Sequence, residues 1–259
     1  MSVAPPWPFP RVLAHRGGGA LAPENTIAAI RVGLDRGFRA VEFDAMLAAD
    51  DVPVLMHDPT LERTGLVGGV VSALPAAELG RVDVGRWHSP RFIGETVPTL
   101  ERTLRFCRDH DIWPNIEIKP APGFEVATGA AVARVTSQIY ADLIRPEGER
   151  TDRFDPRIPL LSSFAPAALI AAREVAPSLP RGWLVDEVPP QWRKELTRLG
   201  CVSLHTNHRH LTAKQARDIK RAGKWLFCYT VNSPQRARTV FSWGADAFCT
   251  DAIDRIPAD

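Results

Sequence analysis

The chain has 259 residues, 45% of them hydrophobic, and its 32 Lys and Arg residues nearly balance 30 Asp and Glu residues. This apolar content is enough for one large core or two modest ones. The absence of long blocks of one charge argues against a nucleic-acid interface or a polybasic membrane patch. The four cysteines are far apart and form no CxxC pair, which is typical of a reduced protein whose thiols pack as small apolar groups.

The N-terminal segment MSVAPPWPFP is rich in proline and has no apolar run that could form the core of a signal peptide. No later stretch approaches the roughly 18 apolar residues of a membrane span. We therefore expect a cytoplasmic protein whose partners include neither nucleic acid nor membrane. The oligomeric state is left open by the sequence, and a homodimer is compatible with it.

Short apolar runs typical of buried strands alternate with helical patterns along the chain. The predicted strands are Val12–Ala14, Ala40–Phe43, Ile116–Ile118, Pro159–Leu161, Trp183–Val185, Cys201–Leu204, Leu226–Tyr229 and Ala247–Cys249. Helical patterns such as NTIAAIRVGLDRG and TAKQARDIKRAG lie between them and end at glycine, as helix C termini often do. Eight such alternations predict a (β/α)8 TIM barrel that forms a single domain over residues 1–259. An open doubly wound sheet would also alternate in this way.

The interval from Phe43 to Ile116 is much longer than the other intervals between predicted strands. It contains another strand-like run, VPVLMHD, followed by turn-forming residues in GLVGG. Loops of this length in compact domains are usually functional or carry their own small structure. We predict an insertion subdomain at residues 48–97, after the second barrel strand and over the mouth of the barrel.

Charged and titratable residues follow or end four of the strand-like runs. They are His15, Arg16, Glu42, Asp44, His57, Glu117 and Lys119. In the triplets EFD and EIK the first and third side chains share one face of the strand. At the C-terminal rim of a barrel such faces converge on one point. We therefore expect these residues to form one cluster.

Three carboxylates in a small volume cannot all stay ionised without a compensating positive charge. A divalent cation held by Glu42, Asp44 and Glu117 would supply it, and oxygen ligands suit Mg²⁺ or Ca²⁺ better than zinc. Ordinary salt bridges to Arg39 or Lys119 would also account for a pair of carboxylates taken alone.

The remaining residues of the cluster suit the cleavage of a phosphate ester. Arg16 and Lys119 can hold anionic oxygens, and His15 and His57 can transfer protons. The glycines 17–19 would let backbone N–H groups approach the same anion. This inventory predicts a metal-dependent phosphodiesterase.

Other functions match only parts of the pattern. GGGALA satisfies the dinucleotide fingerprint G-x-G-x-x-A, but a helix does not follow it at once. An aldolase would use only Lys119, and a serine hydrolase lacks G-x-S-x-G, so that Ser162 and Ser163 are expected at the rim. HTNHRH could suggest zinc, but no cysteine or carboxylate of suitable spacing accompanies it, which favours a solvated loop. If the protein were a binding module without catalysis, the presence of all these catalytic residue types in one cluster would have to be a coincidence.

The motifs LAHRGGGALAPENT, VEFD, VLMHDPTLERTG and NIEIKP, with LLSSF, CYTVN and FCTDAID further on, resemble those of the glycerophosphodiester phosphodiesterases, especially the cytoplasmic bacterial enzymes associated with glycerol-3-phosphate uptake. The resemblance covers nearly the whole chain. It implies a TIM barrel with an insertion after the second strand. It also implies metal-dependent hydrolysis of small-molecule glycerophosphodiesters to sn-glycerol 3-phosphate and an alcohol.

Transferred by motif, the resemblance makes His15 and His57 the acid–base pair, with His15 as base and His57 as acid in a working assignment. The same transfer makes Glu42, Asp44 and Glu117 the metal ligands, and Arg16 and Lys119 the phosphate-binding residues. The usual RTT reads Arg63-Thr64-Gly65 here, a difference expected to affect only the insertion loop. Whether a glycerol hydroxyl or water attacks the phosphorus is not decided by the sequence.

Overall fold

The structure is a computed structural model that describes residues 6–144 and 154–258. The first part of the proline-rich N-terminal segment therefore lies outside the described residues. The strands are β1 (Val12–Ala14), β2 (Ala40–Leu47), β3 (Pro53–Leu55), β4 (Trp113–Ile118), β5 (Leu160–Ser163), β6 (Arg181–Val185), β7 (Ser203–Asn207), β8 (Trp225–Tyr229) and β9 (Ala247–Thr250). The helices are α1 (Ile27–Asp35), α2 (Glu62–Gly65), α3 (Ala76–Leu79), α4 (Leu100–Asp109), α5 (Glu125–Ile139), α6 (Pro166–Val175), α7 (Trp192–Leu199), α8 (Ala213–Arg221) and α9 (Pro234–Trp243).

Eight of these strands close into a parallel barrel. The strand order is β1-β2-β4-β5-β6-β7-β8-β9, and β9 pairs with β1 through Val12↔Phe248, Leu13↔Cys249 and Ala14↔Thr250. Helices connect the strands on the outside, since each parallel pair needs a crossover connection. The predicted (β/α)8 barrel is therefore confirmed, and the doubly wound alternative is excluded by the closure.

The second barrel strand differs from the prediction, because β2 continues past Phe43 to Leu47. Its N-terminal part pairs with β4 up to Ala45↔Ile118, and its C-terminal part forms an antiparallel hairpin with β3. Glu42 and Asp44 therefore lie within a continuous strand and not at its end. This backbone, hydrogen-bonded on both sides, holds the two carboxylates more rigidly than a loop would.

The bottom of the barrel is filled by large apolar side chains. Phe9 from the N-terminal segment stacks on Trp113 with ring centroids 4.2 Å apart, and Trp7 meets Trp225 edge-on. Leu13 packs into the same cluster. Titratable groups are consequently concentrated at the opposite, C-terminal end of the strands, as is usual for this fold.

The helices begin and end as their sequences suggest. The side-chain oxygens of Thr26 and Thr99 accept hydrogen bonds from free backbone N–H groups in the first turns of α1 and α4. Gly200 and Gly244 end α7 and α9 in the left-handed conformation, which glycine adopts without a steric penalty. Among the described helices, none combines the length and the apolar character needed to cross a bilayer.

The segment between β2 and α4 has a small core of its own, which includes Val54, Leu61, Leu79 and Val97. It contains β3 together with the short helices α2 and α3. It reaches the loop after β1, where the ring Nε2 of His88 lies 3.2 Å from the carbonyl oxygen of Ala20. The boundaries 48–97 of the insertion stay a prediction.

Candidate active site

The structure brings all seven predicted site residues into one cluster at the C-terminal end of the barrel. His15 and Arg16 follow β1, Lys119 follows β4, and His57 follows β3. The other three lie in strands, with Asp44 of β2 directly opposite Glu117 of β4. His57 comes from outside the barrel sheet, and its Nε2 lies 2.7 Å from the ammonium of Lys119.

The centre of the cluster is a group of three carboxylates, Glu42, Asp44 and Glu117. Each offers an oxygen that lies within 4.8 Å of the oxygens of the other two. Asn25 fixes Asp44 from behind, because its amide donates to Oδ2 at 2.9 Å and its oxygen accepts the Asp44 N–H at 3.0 Å. Converging oxygens at this spacing are a donor set that suits a hard divalent cation.

The protein alone does not neutralise this carboxylate group. Burial, together with the neighbouring Asp44, raises the pKa of Glu117 to about 8, and burial likewise raises that of Glu42 to about 7. Burial also acts on Asp44, but Arg16 and Lys119 overcome it and hold the pKa of this carboxyl below its usual range. A further positive charge is needed for all three to be ionised near neutral pH, and a bound cation would provide it.

Two cations flank the carboxylates on one side. The Nε of Arg16 lies 3.4 Å from Asp44, and the Nζ of Lys119 lies 3.5 Å from Asp44 and 3.2 Å from Glu117. Burial opposes the charge on Lys119, but these two carboxylates raise its pKa. A Schiff-base lysine needs the opposite shift, so the aldolase interpretation has no support here.

Both candidate histidines are anchored through Nδ1 by a carboxylate. Asp251 lies 2.5 Å from His15, and Asp58 lies 2.6 Å from His57. In each ring Nε2 is then the nitrogen that faces the cluster, 3.7 Å from Glu42 for His15. A carboxylate on one ring nitrogen fixes the tautomer and the orientation of the other. This arrangement suits proton transfer by both residues.

The two histidines differ in their surroundings. Burial alone would lower the pKa of His15, but Asp251 and Glu42 raise it above its ordinary value. Burial lowers the pKa of His57, despite the nearby Asp44 carboxylate. A general base needs a lowered pKa and a general acid a raised one. The two shifts are therefore opposite to those that the working assignment of His15 as base and His57 as acid requires, and the assignment stays a prediction.

Two of the three glycines after His15 use their N–H groups within the loop, which corrects the expectation that all three N–H groups approach an anion. The N–H groups of Gly17 and Gly19 donate to the carbonyls of Ala14 and His15. Gly19, at φ +54°, lies so close to the backbone of Asp251 that any Cβ would clash with it. The bare backbone therefore lets the β1 loop approach the end of β9, which brings Asp251 to His15. The helix α1 starts only at Ile27, unlike the tight turn of a dinucleotide site.

Sequence reasoning missed a chain of ion pairs that joins the two loops around the cluster. Arg63 of α2 donates to Asp58 at 2.5 Å and to both oxygens of Glu24 at 2.7 and 2.8 Å. Glu24 in turn accepts from Arg16 at 2.7 Å. Gly65, the residue that differs from the usual RTT motif, lies next to Val82 within the insertion. Glu24, Asp58 and Arg63 stand in the motifs PENT and HDPTLERTG, but only the fold shows that they meet.

Two further expectations are corrected at the other side of the mouth. His205 is not in a solvated loop but lies on β7, where its ring is 1% exposed and stacks on Phe227. Carboxylates do accompany HTNHRH in space, since Asp186 and Glu187 each lie 3.5 Å from the exposed ring of His210. They follow a different strand, which sequence spacing could not show. Ser162 and Ser163 are the last two residues of β5 and are fully buried, and Ser162 pairs with Glu117.

A family model described as the glycerophosphoryl diester phosphodiesterase family matches residues 15–255. A glycerophosphodiester phosphodiesterase of Caldanaerobacter subterraneus is 29% identical over 245 residues, which cover 93% of each chain. A putative glycerophosphodiester phosphodiesterase of Bacillus subtilis is also 29% identical, over 96% of this chain and 97% of its own.

The solved structures that match include an Oleispira antarctica phosphodiesterase in complex with the product sn-glycerol-3-phosphate. It is 32% identical, with a TM-score of 0.83, and the match covers 94% of this chain and 93% of the other. A putative glycerophosphoryl diester phosphodiesterase from Silicibacter pomeroyi matches with a TM-score of 0.79 at 26% identity, over 98% and 93% of the two chains. These similarities and the family match agree with the resemblance found in the sequence motifs.

Proposed function

Since this chain belongs to the glycerophosphoryl diester phosphodiesterase family, we propose that it hydrolyses glycerophosphodiesters to sn-glycerol 3-phosphate and an alcohol at the site described above. The observation that carries this proposal is the carboxylate group of Glu42, Asp44 and Glu117, flanked on one side by Arg16 and Lys119. Such a site can hold an anionic diester and a cation together.

One divalent cation, Mg²⁺ or Ca²⁺, would be held by Glu42, Asp44 and Glu117. Their all-oxygen donor set and the raised pKa values of Glu42 and Glu117 fit this role. When bound, the cation supplies charge that polarises a phosphoryl oxygen. Arg16 and Lys119 then hold the remaining phosphate oxygens, the guanidinium as a fork and the ammonium as a point charge.

His15 and His57 would share the two proton transfers of the reaction. One takes the proton of the attacking hydroxyl as its oxygen bonds to phosphorus, and the other gives a proton to the departing alcohol oxygen as the P–O bond breaks. Asp251 and Asp58 keep both rings oriented with Nε2 towards the reacting centre. Attack by water gives sn-glycerol 3-phosphate directly, whereas attack by a glycerol hydroxyl gives a cyclic phosphate, which water must then open in a second step with the roles of the two histidines reversed.

The substrate class is a small, deacylated glycerophosphodiester and not an intact phospholipid. The charged contacts are concentrated on a single phosphate, and the glycerol-phosphate half would therefore provide most of the binding energy. The alcohol half would lie towards the insertion, so that discrimination between head groups is weak. We expect kcat/KM values for glycerophosphocholine, glycerophosphoethanolamine and glycerophosphoglycerol within roughly 10–200-fold of each other.

The test is the release of sn-glycerol 3-phosphate from glycerophosphocholine by purified protein, before and after chelation and after re-addition of Mg²⁺ or Ca²⁺. Glu117→Gln should lose most of the activity, whereas Glu101→Gln should not, because Glu101 is exposed on α4 and forms an ion pair with Arg105 of the same helix. Full turnover after exhaustive chelation, or in Glu117→Gln, would contradict the metal-dependent mechanism. Efficient cleavage of phosphatidylcholine vesicles would contradict the substrate class.

A further inference from the structure

A pocket extends into the barrel beside the carboxylate group. Glu42, Glu117 and His15 line its upper part. Of the described chain, neither Arg16 nor Lys119 lines it. The pocket therefore lies on the side of the carboxylates away from the proposed phosphate position, and it lacks the cations that a second anionic group would need.

The floor of this pocket carries buried polar atoms that lack protein partners. Asn115 and Ser162 are 2% and 0% exposed, and both line the pocket. Within the ranges 6–144 and 154–258, no hydrogen-bond partner is found for Asn115 Oδ1 or for Ser162 Oγ. A buried hydroxyl or amide without a partner is costly, and native proteins leave few of them. A ligand with hydroxyl groups would satisfy these atoms.

The strand register places these polar groups next to one another. Ser162 of β5 pairs with Glu117 of β4 on one side and with Gly182 of β6 on the other. Asn115 lies two residues before Glu117 and therefore shares its inward face. The His205 ring fills the space that a side chain at Gly182 would need. The His205 ring is not among the described residues that line the pocket, so the polar floor consists of Asn115 of β4 and Ser162 of β5, next to Glu117.

The opposite wall of the pocket is apolar. Leu184 and Phe227 line it within the barrel, and Phe164 and Tyr229 meet edge to face at its mouth, with ring centroids 5.8 Å apart. A pocket with carboxylates above, polar atoms below and apolar side chains around fits a short polyol. The carbon atoms of such a group would contact the apolar wall, and its hydroxyls would face the polar atoms.

We propose that Ser162 and Asn115 form a hydroxyl-binding floor for the glycerol half of the substrate and make the site prefer glycerol phosphates over plain alkyl phosphates. This inference rests on the proposed function and assigns its specificity to residues outside the metal and phosphate groups. The reason is chemical: a site with buried hydrogen-bonding groups rejects a ligand that leaves them unpaired.

Titration calorimetry in the presence of Mg²⁺ tests the proposal without turnover. Its ligands are sn-glycerol 3-phosphate and n-propyl phosphate, which has the same carbon chain and no hydroxyls. Wild-type protein should prefer sn-glycerol 3-phosphate by about 10-fold or more, and Ser162→Ala should reduce this preference about 3–10-fold, the value of one hydrogen bond. Asn115→Ala is the second variant and should act in the same direction. The affinity for n-propyl phosphate should stay within about 2-fold of wild type in both.

Ser163→Ala is the matched control, because the Ser163 hydroxyl points away from the pocket and donates to the carbonyl of Ile118 at 2.6 Å. It should lower the melting temperature without changing the preference. Ser162→Ala should leave the melting temperature unchanged or raise it, since the hydroxyl it removes has no partner among the described residues.

A wild-type protein that binds both phosphates equally, or neither, overturns the inference. The inference is also overturned if Ser162→Ala lowers the affinities for both ligands by the same factor or changes neither affinity. If glycerophosphocholine is still hydrolysed with metal dependence in that case, the proposed function stands and only the hydroxyl-binding floor is refuted.

Discussion

Arg63 is the residue through which the insertion should control the site, and Arg63→Ala is the perturbation that tests this. Arg63 donates to Asp58, which in turn orients His57, and it holds Glu24 with two parallel hydrogen bonds. Its removal leaves Asp58 free to rotate and releases the Nδ1 side of the His57 ring. We expect the proton transfer by His57 to become slower while the fold is retained.

The expected loss of kcat in Arg63→Ala follows from the pKa of the Asp58 carboxyl. The hydrogen bond from Arg63 is the largest of the contacts that lower the pKa of Asp58 to about 2. A shift of this size corresponds to about 2.5 kcal/mol, which we reduce to about 1–2 kcal/mol because the Arg63 side chain is 43% exposed. A loss of that much orientation energy in the transition state lowers kcat about 5–30-fold.

The assay is steady-state hydrolysis of glycerophosphocholine together with a melting curve. Arg63→Lys keeps the charge without the fork and should recover part of the loss. Arg86→Ala is the control in the same insertion, because Arg86 is 64% exposed and its ion pair is with Asp83, at 3.4 Å, and not with a residue of the site. An unchanged kcat in folded Arg63→Ala, or an equal loss in Arg86→Ala, would refute the reasoning.

Three other outcomes follow from the same structure. Asp251→Asn should lower kcat about 10–100-fold, as the loss of a carboxylate behind a working histidine does. Asn232→Ala should lose less, because it removes hydrogen bonds to the side chain and N–H of Asp251 and to Thr250 but keeps the carboxylate; equal initial rates for Asp251→Asn and wild type would contradict this. If His57 is the acid, His57→Ala should lose much less activity on a p-nitrophenyl diester, whose leaving group departs without a proton, and His15→Ala should lose activity on both substrates; the reversed pattern exchanges the two roles. Burial lowers the pKa of His205 to about 3, so the unfolded chain binds the extra proton below pH 6.5 and this group lowers the stability as the pH drops, by about 2 kcal/mol at pH 5. Glu42 and Glu117 act in the opposite direction because their pKa values are raised, so the measurement is the difference in melting temperature between wild type and His205→Leu: it should shift in favour of the variant from pH 6.5 to 5, and a constant difference would contradict this.

The sequence by itself determined the barrel and the inventory of the candidate site. Strand and helix periods are local properties of the chain, so the alternation could be read directly, and the strands Val12–Ala14 and Trp183–Val185 were located to within a few residues. The face-sharing of Glu42 with Asp44 follows from the two-residue period of a strand. That these residues converge with His15 required only that parallel strand ends meet at one rim, whereas His57 follows the antiparallel strand β3 of the insertion.

The tertiary structure decided what stands behind and below those residues. Asp251 reaches His15 from the far end of the chain because β9 closes the barrel against β1, and no local pattern contains that pairing. Arg63 meets Glu24 only because the insertion folds back on the β1 loop. His205, in a polar segment that predicts a loop, is buried because its neighbours in β7 pair on both sides and Gly182 leaves room for its ring. Such contacts depend on register and shape across the whole barrel, whereas sequence patterns carry only the periodicity of one element at a time.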